Sequence, residues 1–126
     1  MQGLKHTEDH EWIRVEDDGT VTVGITDYAQ DQLGEIVFVE LPEVGADITQ
    51  GDECAVIESV KAAGELKSPI DGTVVSVNET LGDAPETINS DPTGAGWIMR
   101  VQPSDTGQLD DLMDEDAYIE FIKTLD

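Results

Sequence analysis

The sequence predicts a mostly β protein of short strands, with a helical segment at its C-terminus. Short apolar and β-branched runs alternate with turn residues over most of the chain. A four-residue unit, D-G-T-V, occurs at Asp18–Val21 and again at Asp71–Val74, which is what a sandwich of two related halves would need. After Pro103 the apolar residues recur at steps of three and four, which is a helical period. The length of 126 residues fits one domain, residues 1–126.

The first elements follow from local signals. Trp12–Val15 is a predicted strand, and the Asp18–Gly19 turn leads into a second strand at Thr20–Val23. A short helix near residues 27–33 is predicted, with Asp27 as its cap and Gly34 as its end.

The middle of the chain predicts one buried strand and one hairpin. Ile36–Val39 is an unbroken apolar run, hence a buried strand, and Pro42 stops it. Cys54–Val60 is strand-like, and Glu65–Lys67 resumes the strand after a turn that contains Lys61.

The last third combines turns, a loop and helices. A turn at Asp71–Gly72 precedes a strand at Thr73–Val77, and residues 81–96 have the composition of a loop. Trp97–Val101 is the last predicted strand. One broken helix or two short ones are expected near residues 107–125, closing the sheet edge. Their apolar positions are Leu109, Leu112, Met113, Ala117, Phe121 and Leu125.

The charge of the chain excludes several classes of partner. Six Lys and Arg face 29 Asp and Glu, which gives a formal net charge of −23. Such a chain has no basic face for nucleic acid and is repelled by anionic membranes. We expect a solvated acidic surface suited to high salt, where screening suppresses self-repulsion. The same repulsion favours a monomer.

The remaining composition gives the expected compartment. Cys54 is the only cysteine, so the chain has no internal disulfide and suits a reducing compartment. The sequence has no membrane-spanning stretch and no signal or transit segment at Met1–His6. A cytoplasmic location is therefore expected.

Common catalytic signatures are missing from the sequence. His6 and His10 are the only histidines, and their spacing to carboxylates does not predict a metal site. Cys54 lies in an apolar strand, where it is expected to act as a small core residue. There is no Gly-rich phosphate loop, and no pair of acids stands out for hydrolysis, although 29 acids leave that interpretation open.

Lys61 is the residue most in need of a chemical explanation. It lies in E-S-V-K-A-A-G-E, where a β-branched run meets small residues, in a chain with only four lysines. A lysine amine is almost fully protonated at neutral pH, so an external enzyme must activate it for acylation. Such an enzyme has to reach the residue, and Ala62, Ala63 and Gly64 keep the tip uncluttered. Lys67, within a strand, is a weaker candidate.

Seven segments are distinctive in combination: His10–Trp12, Gly24–Gln30, Leu33–Pro42, Glu58–Ala62, Ser68–Gly72, Asn89–Pro92 and Gly96–Trp97. Together these segments resemble the glycine cleavage system H protein family, over a range from about Leu4 to Leu125. Among them, Glu58–Ala62, E-S-V-K-A, resembles the family's lipoyl-attachment motif. The combination of L-G-E-I-V-F-V-E-L-P with E-S-V-K-A is highly specific for the family.

The resemblance implies both a fold and a function. The fold is a lipoyl-type barrel-sandwich hybrid of short antiparallel strands, with a lipoyl-like core at about residues 18–102 and a helical segment at about 104–126. The function is that of a carrier, not an enzyme, with lipoic acid joined covalently to Lys61. It would take an aminomethyl group from a PLP-dependent glycine decarboxylase to an aminomethyltransferase that uses tetrahydrofolate. A dihydrolipoyl dehydrogenase would then reoxidise it, and a lipoate ligase or lipoyl transferase would attach the arm.

The resemblance also implies two sets of site residues. Recognition by the modifying enzyme would involve Glu58, Val60, Ala62 and Gly64. A cleft that shelters the loaded arm would involve Asp9, Glu11, Ile25, Gln32 and Glu65. The sequence departs from some relatives at this cleft, since Gln32 stands where a histidine often occurs and Asp9 where a serine can.

Four other interpretations differ in observable ways. A biotin carrier would typically place its lysine between methionines, whereas Val60 and Ala62 flank Lys61 here. A lipoyl domain of a 2-oxoacid dehydrogenase would usually be attached through a flexible linker. A lipoyl relay would serve other lipoylated enzymes without taking part in glycine catabolism, and the presence or absence of the glycine cleavage partners in the same cell would distinguish it. A hydrolase using an acid pair would turn over esters or glycosides by itself.

Overall fold

The computed structural model describes residues 4–125 as two antiparallel sheets with short helices. Met1–Gly3 and Asp126 lie outside the described residues. The predictions for Met1–His6, for the domain 1–126 and for the segment 104–126 extend into these residues. The strands are β1 Lys5–His6, β2 Glu11–Val15, β3 Val21–Ile25, β4 Ile36–Glu40, β5 Asp47–Ile48, β6 Glu53–Ser59, β7 Ala63–Lys67, β8 Gly72–Val77 and β9 Met99–Pro103. The helices are α1 Asp27–Leu33, α2 Thr80–Asp83, α3 Thr87–Ser90, the 3₁₀ helix Thr106–Asp111 and α4 Glu115–Lys123.

The two sheets face each other across one core. The larger sheet has the strand order β1-β2-β3-β9-β8-β5 and the smaller one β4-β6-β7, and neither closes into a barrel. Their inner faces bury Ile13, Val23, Ile57, Leu66 and Val101 almost completely. The predicted mostly β sandwich with short helices and a C-terminal helix is therefore confirmed. None of the helices described between residues 4 and 125 is long and apolar enough to cross a membrane.

Trp12 fixes the position of β2 against β3. Its ring is fully buried, and its Nε1–H donates to the Pro92 carbonyl at 2.8 Å. Gly24 lies opposite Trp12 in the register, and a Cβ there would come within 2.7 Å of the indole. Only a residue without a side chain leaves room for the ring at this position.

The prediction of a buried strand at Ile36–Val39 is wrong for two of its residues. Val37 and Phe38 are about half exposed, at 48% and 49%. The pairing of β4 with β6 shifts register between Ile36 and Phe38, and β4 is an edge strand. A bulge breaks the inside–outside alternation, so an apolar run at an edge is not buried throughout.

Two details of the predicted turns and caps are also wrong. Thr26, not Asp27, caps α1: its Oγ accepts from the Ala29 N–H at 3.2 Å. The second Asp–Gly pair is not a turn, because Gly72 begins β8 and a Cβ there would lie 2.4 Å from the Gln102 carbonyl oxygen. Gly19, in contrast, has the positive φ of a turn glycine, 89°.

The predicted loop at residues 81–96 contains two helical turns, α2 and α3. Leu81 and Ile88 are fully buried, one in each turn, and their burial holds the turns against the core. The loop-like composition of the segment did not indicate that these two apolar residues would be buried. The last strand begins at Met99 and not at Trp97, which lies outside the ladder with Arg100 over its ring.

The C-terminal prediction of two short helical pieces is confirmed. Asp114 caps α4 by accepting from the Ala117 N–H at 2.8 Å. The preceding residue, Met113, forms a two-way backbone bridge with His6 of β1. Tyr118 stacks flat on the His6 ring at 4.4 Å, so α4 covers the β1 edge of the larger sheet.

Candidate functional site

Lys61 lies at the tip of the hairpin between β6 and β7. The Ser59 N–H donates to the Ala62 carbonyl at 2.8 Å, which closes the turn. The Ser59 Oγ lies 3.0 Å from both the N–H and the carbonyl oxygen of Ala62. Val60 donates its N–H to the Glu35 carbonyl at 3.0 Å, which joins the tip to the start of β4. Lys61 is therefore exposed on a tip whose backbone is held from both sides.

The stem of Lys61 rests against a glycine at the end of α1. Gly34 has φ 81° and ψ −154°, a backbone conformation that side chains rarely adopt. A Cβ at Gly34 would come within 3.1 Å of Lys61 Cε and 3.7 Å of Nζ. The missing side chain thus leaves a seat for the four-carbon stem. Among residues 4–125 the ion pairs are Arg14–Glu16 and Lys123–Glu120, so Lys61 has no ionic partner there.

Asn89 of α3 fixes this seat. Its Nδ2 donates to the Gly34 carbonyl and to the Gln30 side chain, both at 2.9 Å. Its Oδ1 accepts from the Ile36 N–H at 2.8 Å. One amide side chain therefore joins α1, Gly34 and β4. Sequence reasoning placed Asn89 in a loop and gave it no role, because nothing local shows which distant groups its amide will meet.

A cleft of about 370 Å³ lies beside the tip, between α1, β7 and the β1–β2 connection. Most of the exposed area of its wall is apolar, and polar side chains also belong to the wall. It is lined by Asp9, His10, Ile25, Tyr28, Ala29, Gln32, Leu33, Ile57, Gly64 and Glu65. Leu33 precedes the Gly34 seat, and Gly64 lies three residues after Lys61. The cleft is thus continuous with the elements that carry the lysine.

The structure places four of the five predicted cleft residues in this wall: Asp9, Ile25, Gln32 and Glu65. Glu11, the fifth, lines a neighbouring depression. Sequence reasoning missed the other wall residues, of which His10 and Tyr28 carry aromatic rings. His10 stands in the same H-E-W motif as Glu11, which was the one signal that could have indicated it.

Glu11 is a buried carboxylate that joins the two sheets. It is 3% exposed, in β2 of the larger sheet. One oxygen accepts from the Lys67 N–H of β7 at 2.8 Å, and the other accepts from the Thr7 hydroxyl at 3.1 Å. Burial raises the pKa of Glu11 from 4.5 to about 7, against the lowering effect of these two hydrogen bonds. Its carboxylate therefore anchors the base of the hairpin whose tip bears Lys61.

Two further residues of the cleft wall have shifted pKa values. A hydrogen bond with the Glu53 carboxyl, and the charge of that carboxyl, raise the pKa of Glu65. Burial lowers the pKa of His10, against a smaller raising effect of Asp9. A neutral imidazole therefore lies beside carboxylates in the cleft wall.

The expected core role of Cys54 agrees with its surroundings. The thiol is half-buried, 3.3 Å from the Leu66 carbonyl oxygen, and burial raises its pKa to about 12. A thiol in this state is a poor nucleophile. Within the described part of the chain, no three His, Cys, Asp or Glu side chains are grouped to hold a metal ion.

These features fit a covalently attached acyl arm. The glycine seat accepts the lysine stem, and the apolar wall of Ile25, Leu33 and Ile57 suits a hydrocarbon chain. Two open antiparallel sheets, a lysine at a rigid hairpin tip and an adjacent cleft define the class of carrier proteins that bear a prosthetic group on a lysine.

Comparison with known proteins identifies the family. The sequence profile described as "Glycine cleavage H-protein" matches residues 4–125, and the chain belongs to this family. It is 54% identical over 121 residues to the glycine cleavage system H protein of Halorhodospira halophila, covering 96% of this chain and 93% of that protein. It is 57% identical over 119 residues to the H protein of Shewanella frigidimarina, covering 94% and 92%.

A solved structure supports the same assignment. The crystal structure of a glycine cleavage system H protein from Mycobacterium marinum superposes with a TM-score of 0.87 at 40% identity. The match covers 98% of this chain and 99% of that one. The chain is accordingly a lipoyl carrier component of the glycine cleavage system and not a catalyst by itself.

Proposed function

We propose that Lys61 carries a lipoyl group as an amide on Nζ and that the chain transports an aminomethyl group on this arm. The observation that carries the proposal is the position of Lys61 on a braced tip, with its stem on Gly34 and an apolar cleft beside it. When attached, the arm supplies a disulfide that partner enzymes open, load and close again. Tethering keeps the reactive end at high effective concentration near each partner's site.

The chain's own residues supply position and shelter. Ser59 and Val60 hold the tip, so that the lysine is presented in one orientation to a modifying enzyme. Ile25, Leu33 and Ile57 offer a surface on which the arm can rest away from water. Asp9 and Glu65 belong to the same cleft wall, where their carboxylates would face an amine-bearing cargo.

The proposed partner enzymes are those that membership of the glycine cleavage system implies. A PLP-dependent glycine decarboxylase loads the arm, and an aminomethyltransferase passes the one-carbon unit to tetrahydrofolate and releases ammonia. A dihydrolipoyl dehydrogenase restores the disulfide. We also propose that the chain acts as a single domain, with its carrier core at about residues 18–102. A monomeric state and a cytoplasmic location stay predictions.

The modifying enzyme, a lipoate ligase or lipoyl transferase, is proposed to read the tip through Glu58, Val60, Ala62 and Gly64. Val60 is 67% exposed beside the lysine, so its side chain is open to a partner. Glu58 and Ala62 are exposed as well. An apolar side chain next to a carboxylate and a lysine gives a small surface that distinguishes Lys61 from other lysines.

Intact mass and peptide mapping of protein from its native source test the attachment. We expect one lipoyl amide on Lys61 and none on Lys67, an exposed lysine of β7 that serves as the internal control. Lys61→Arg should remove the modification and the ability to be loaded by glycine decarboxylase, whereas Lys67→Arg should retain both. An unmodified Lys61 in cells that have lipoate and a competent ligase would refute the proposal.

A further inference from the structure

His10 lies in the cleft wall with a strained backbone. Its φ is 68°, in the left-handed region that few residues other than glycine adopt. The His10 N–H donates to the Thr7 carbonyl at 3.1 Å, and the His10 carbonyl accepts from the Thr26 N–H at 2.9 Å. A strained residue that its neighbours hold in place beside a cleft indicates that the direction of its side chain matters.

A chain of hydrogen bonds links the His10 ring to α4. The His10 Nδ1 lies 2.8 Å from the Tyr118 hydroxyl, which lies 2.7 Å from the Thr26 hydroxyl. Thr26 and Tyr118 are 4% and 5% exposed, so bulk water does not compete for these hydrogen bonds. The stacking of Tyr118 on His6 fixes the tyrosine ring independently of its hydroxyl.

The partners of Thr26 favour one direction for the protons along this chain. The Thr26 Oγ already accepts from the Ala29 N–H, and within residues 4–125 the acceptor in reach of its own proton is the Tyr118 hydroxyl. With Thr26 as the donor, Tyr118 gives its own proton to His10 Nδ1, which is then the unprotonated nitrogen. The ring proton of a neutral His10 is therefore on Nε2. Within the described residues this nitrogen has no hydrogen-bond partner, and it is not enclosed.

We propose that Thr26 and Tyr118 are positioning residues that hold His10 as the Nε2–H tautomer, so that His10 donates a hydrogen bond in the cleft to the amine of the aminomethyl cargo. The inference rests on the proposed carrier function and adds residues to it. It also gives α4 a part in the cleft, since Tyr118 is the group of that helix that belongs to the chain of hydrogen bonds.

A hydrogen-bond donor at His10 Nε2 slows the hydrolytic loss of the aminomethyl cargo. In that loss the carbon–sulfur bond breaks and its electron pair stays on sulfur, while the nitrogen lone pair forms a carbon–nitrogen double bond. Water then converts the released methyleneammonium ion to formaldehyde and ammonium. A hydrogen bond from His10 Nε2–H occupies the nitrogen lone pair that drives cleavage of the carbon–sulfur bond. The tautomer with its proton on Nδ1 would have no donor at Nε2.

The tautomer is tested by nitrogen NMR of the imidazole rings in the unlipoylated full-length chain at pH 8. The chain has only two histidines, and His10→Asn identifies the His10 signals; Asn also tolerates a left-handed backbone. We expect the Nε2–H tautomer in the wild type and a mixture of tautomers in Tyr118→Phe. A wild-type His10 protonated on Nδ1, or a spectrum unchanged by Tyr118→Phe, would overturn the inference.

The lifetime of the loaded carrier is the second readout. Formaldehyde release from lipoylated, loaded protein should become about fivefold faster in Tyr118→Phe and in His10→Asn, which corresponds to about 1 kcal/mol for one hydrogen bond. Thr26→Ser keeps the hydroxyl and should retain the wild-type lifetime. Ile119→Ala changes an exposed residue of α4 and controls for general effects on that helix.

The outcomes separate this inference from the carrier function itself. If wild-type protein is neither lipoylated nor loaded, the carrier function fails, while the NMR experiment still decides the tautomer. If wild type, Tyr118→Phe and His10→Asn all load normally and lose their cargo at equal rates, the carrier function stands and the role of His10 is refuted. Circular dichroism melting of each variant verifies that it is folded when the rates are measured.

Discussion

Glu11→Gln should change how the stability of the protein depends on pH. The Glu11 carboxyl is 3% exposed, and its pKa is raised from 4.5 to about 7. A raised pKa means that the folded state binds the proton more tightly than the unfolded state does. The resulting stabilisation is complete below pH 4.5 and is lost as the pH rises through 7. A difference of about 2.5 pH units, at about 1.4 kcal/mol each, gives about 3.5 kcal/mol over the full window.

The variant removes this titration without changing the shape of the side chain. The amide introduced by Glu11→Gln is neutral at every pH, so the stability of the variant relative to wild type should rise by about 2 to 3 kcal/mol between about pH 5 and pH 8. A constant offset of roughly 1 to 2 kcal/mol is also expected. The cause is that the Thr7 hydroxyl oxygen already accepts from the N–H groups of Asp9 and Glu11, and it cannot easily accept from the new amide as well.

Urea unfolding at pH 5, 6, 7 and 8 in constant molar KCl measures the effect, because the salt screens the other carboxylates. Glu8→Gln, which removes an exposed charge three residues earlier, is the matched control. Parallel pH profiles for wild type and Glu11→Gln would show that the buried carboxyl does not titrate in this range. The explanation of Glu11 as a desolvated anchor between the sheets would then be wrong.

Three further predictions concern the lysine seat, the cysteine and the surface charge. Gly34→Ala should destabilise the protein by about 1 to 2 kcal/mol and also slow lipoylation of Lys61, whereas Gly51→Ala, with φ 91° and no atom near its Cβ, should only destabilise; equal lipoylation rates would exclude the seat. Iodoacetamide should alkylate Cys54 slowly at pH 8 and rapidly in urea, because burial raises the thiol pKa to about 12. Mass spectrometry measures the rate of alkylation, and fast labelling of the folded protein would contradict this prediction. Thermal melting should shift upward from low to molar KCl, since screening reduces the self-repulsion of a net charge of −23, and equal melting temperatures would count against an adaptation to high salt.

Local signals were sufficient for much of the architecture. Turn residues and β-branched runs placed the strands around Lys61, and the change of period after Pro103 predicted the helical C-terminus. They failed where long-range contacts decide the structure. The exposure of Phe38 depends on an edge position and a bulge, and the turn of α3 depends on the burial of Ile88. In both cases the residues that decide the outcome, β6 for Phe38 and the core for Ile88, are distant in sequence.

The sequence by itself indicated the class of protein, since the motifs that carry the family resemblance, above all the one around Lys61, are local properties of the chain. Only the tertiary structure decided what surrounds that lysine. Gly34, Asn89 and Tyr118 are far apart in sequence. Folding brings a missing Cβ and an amide to the lysine seat, and it brings a hydroxyl within hydrogen-bond distance of His10 in the cleft wall. Hydrogen bonds and close contacts act over only a few ångströms, so their partners become known only when the chain's distant segments are placed side by side.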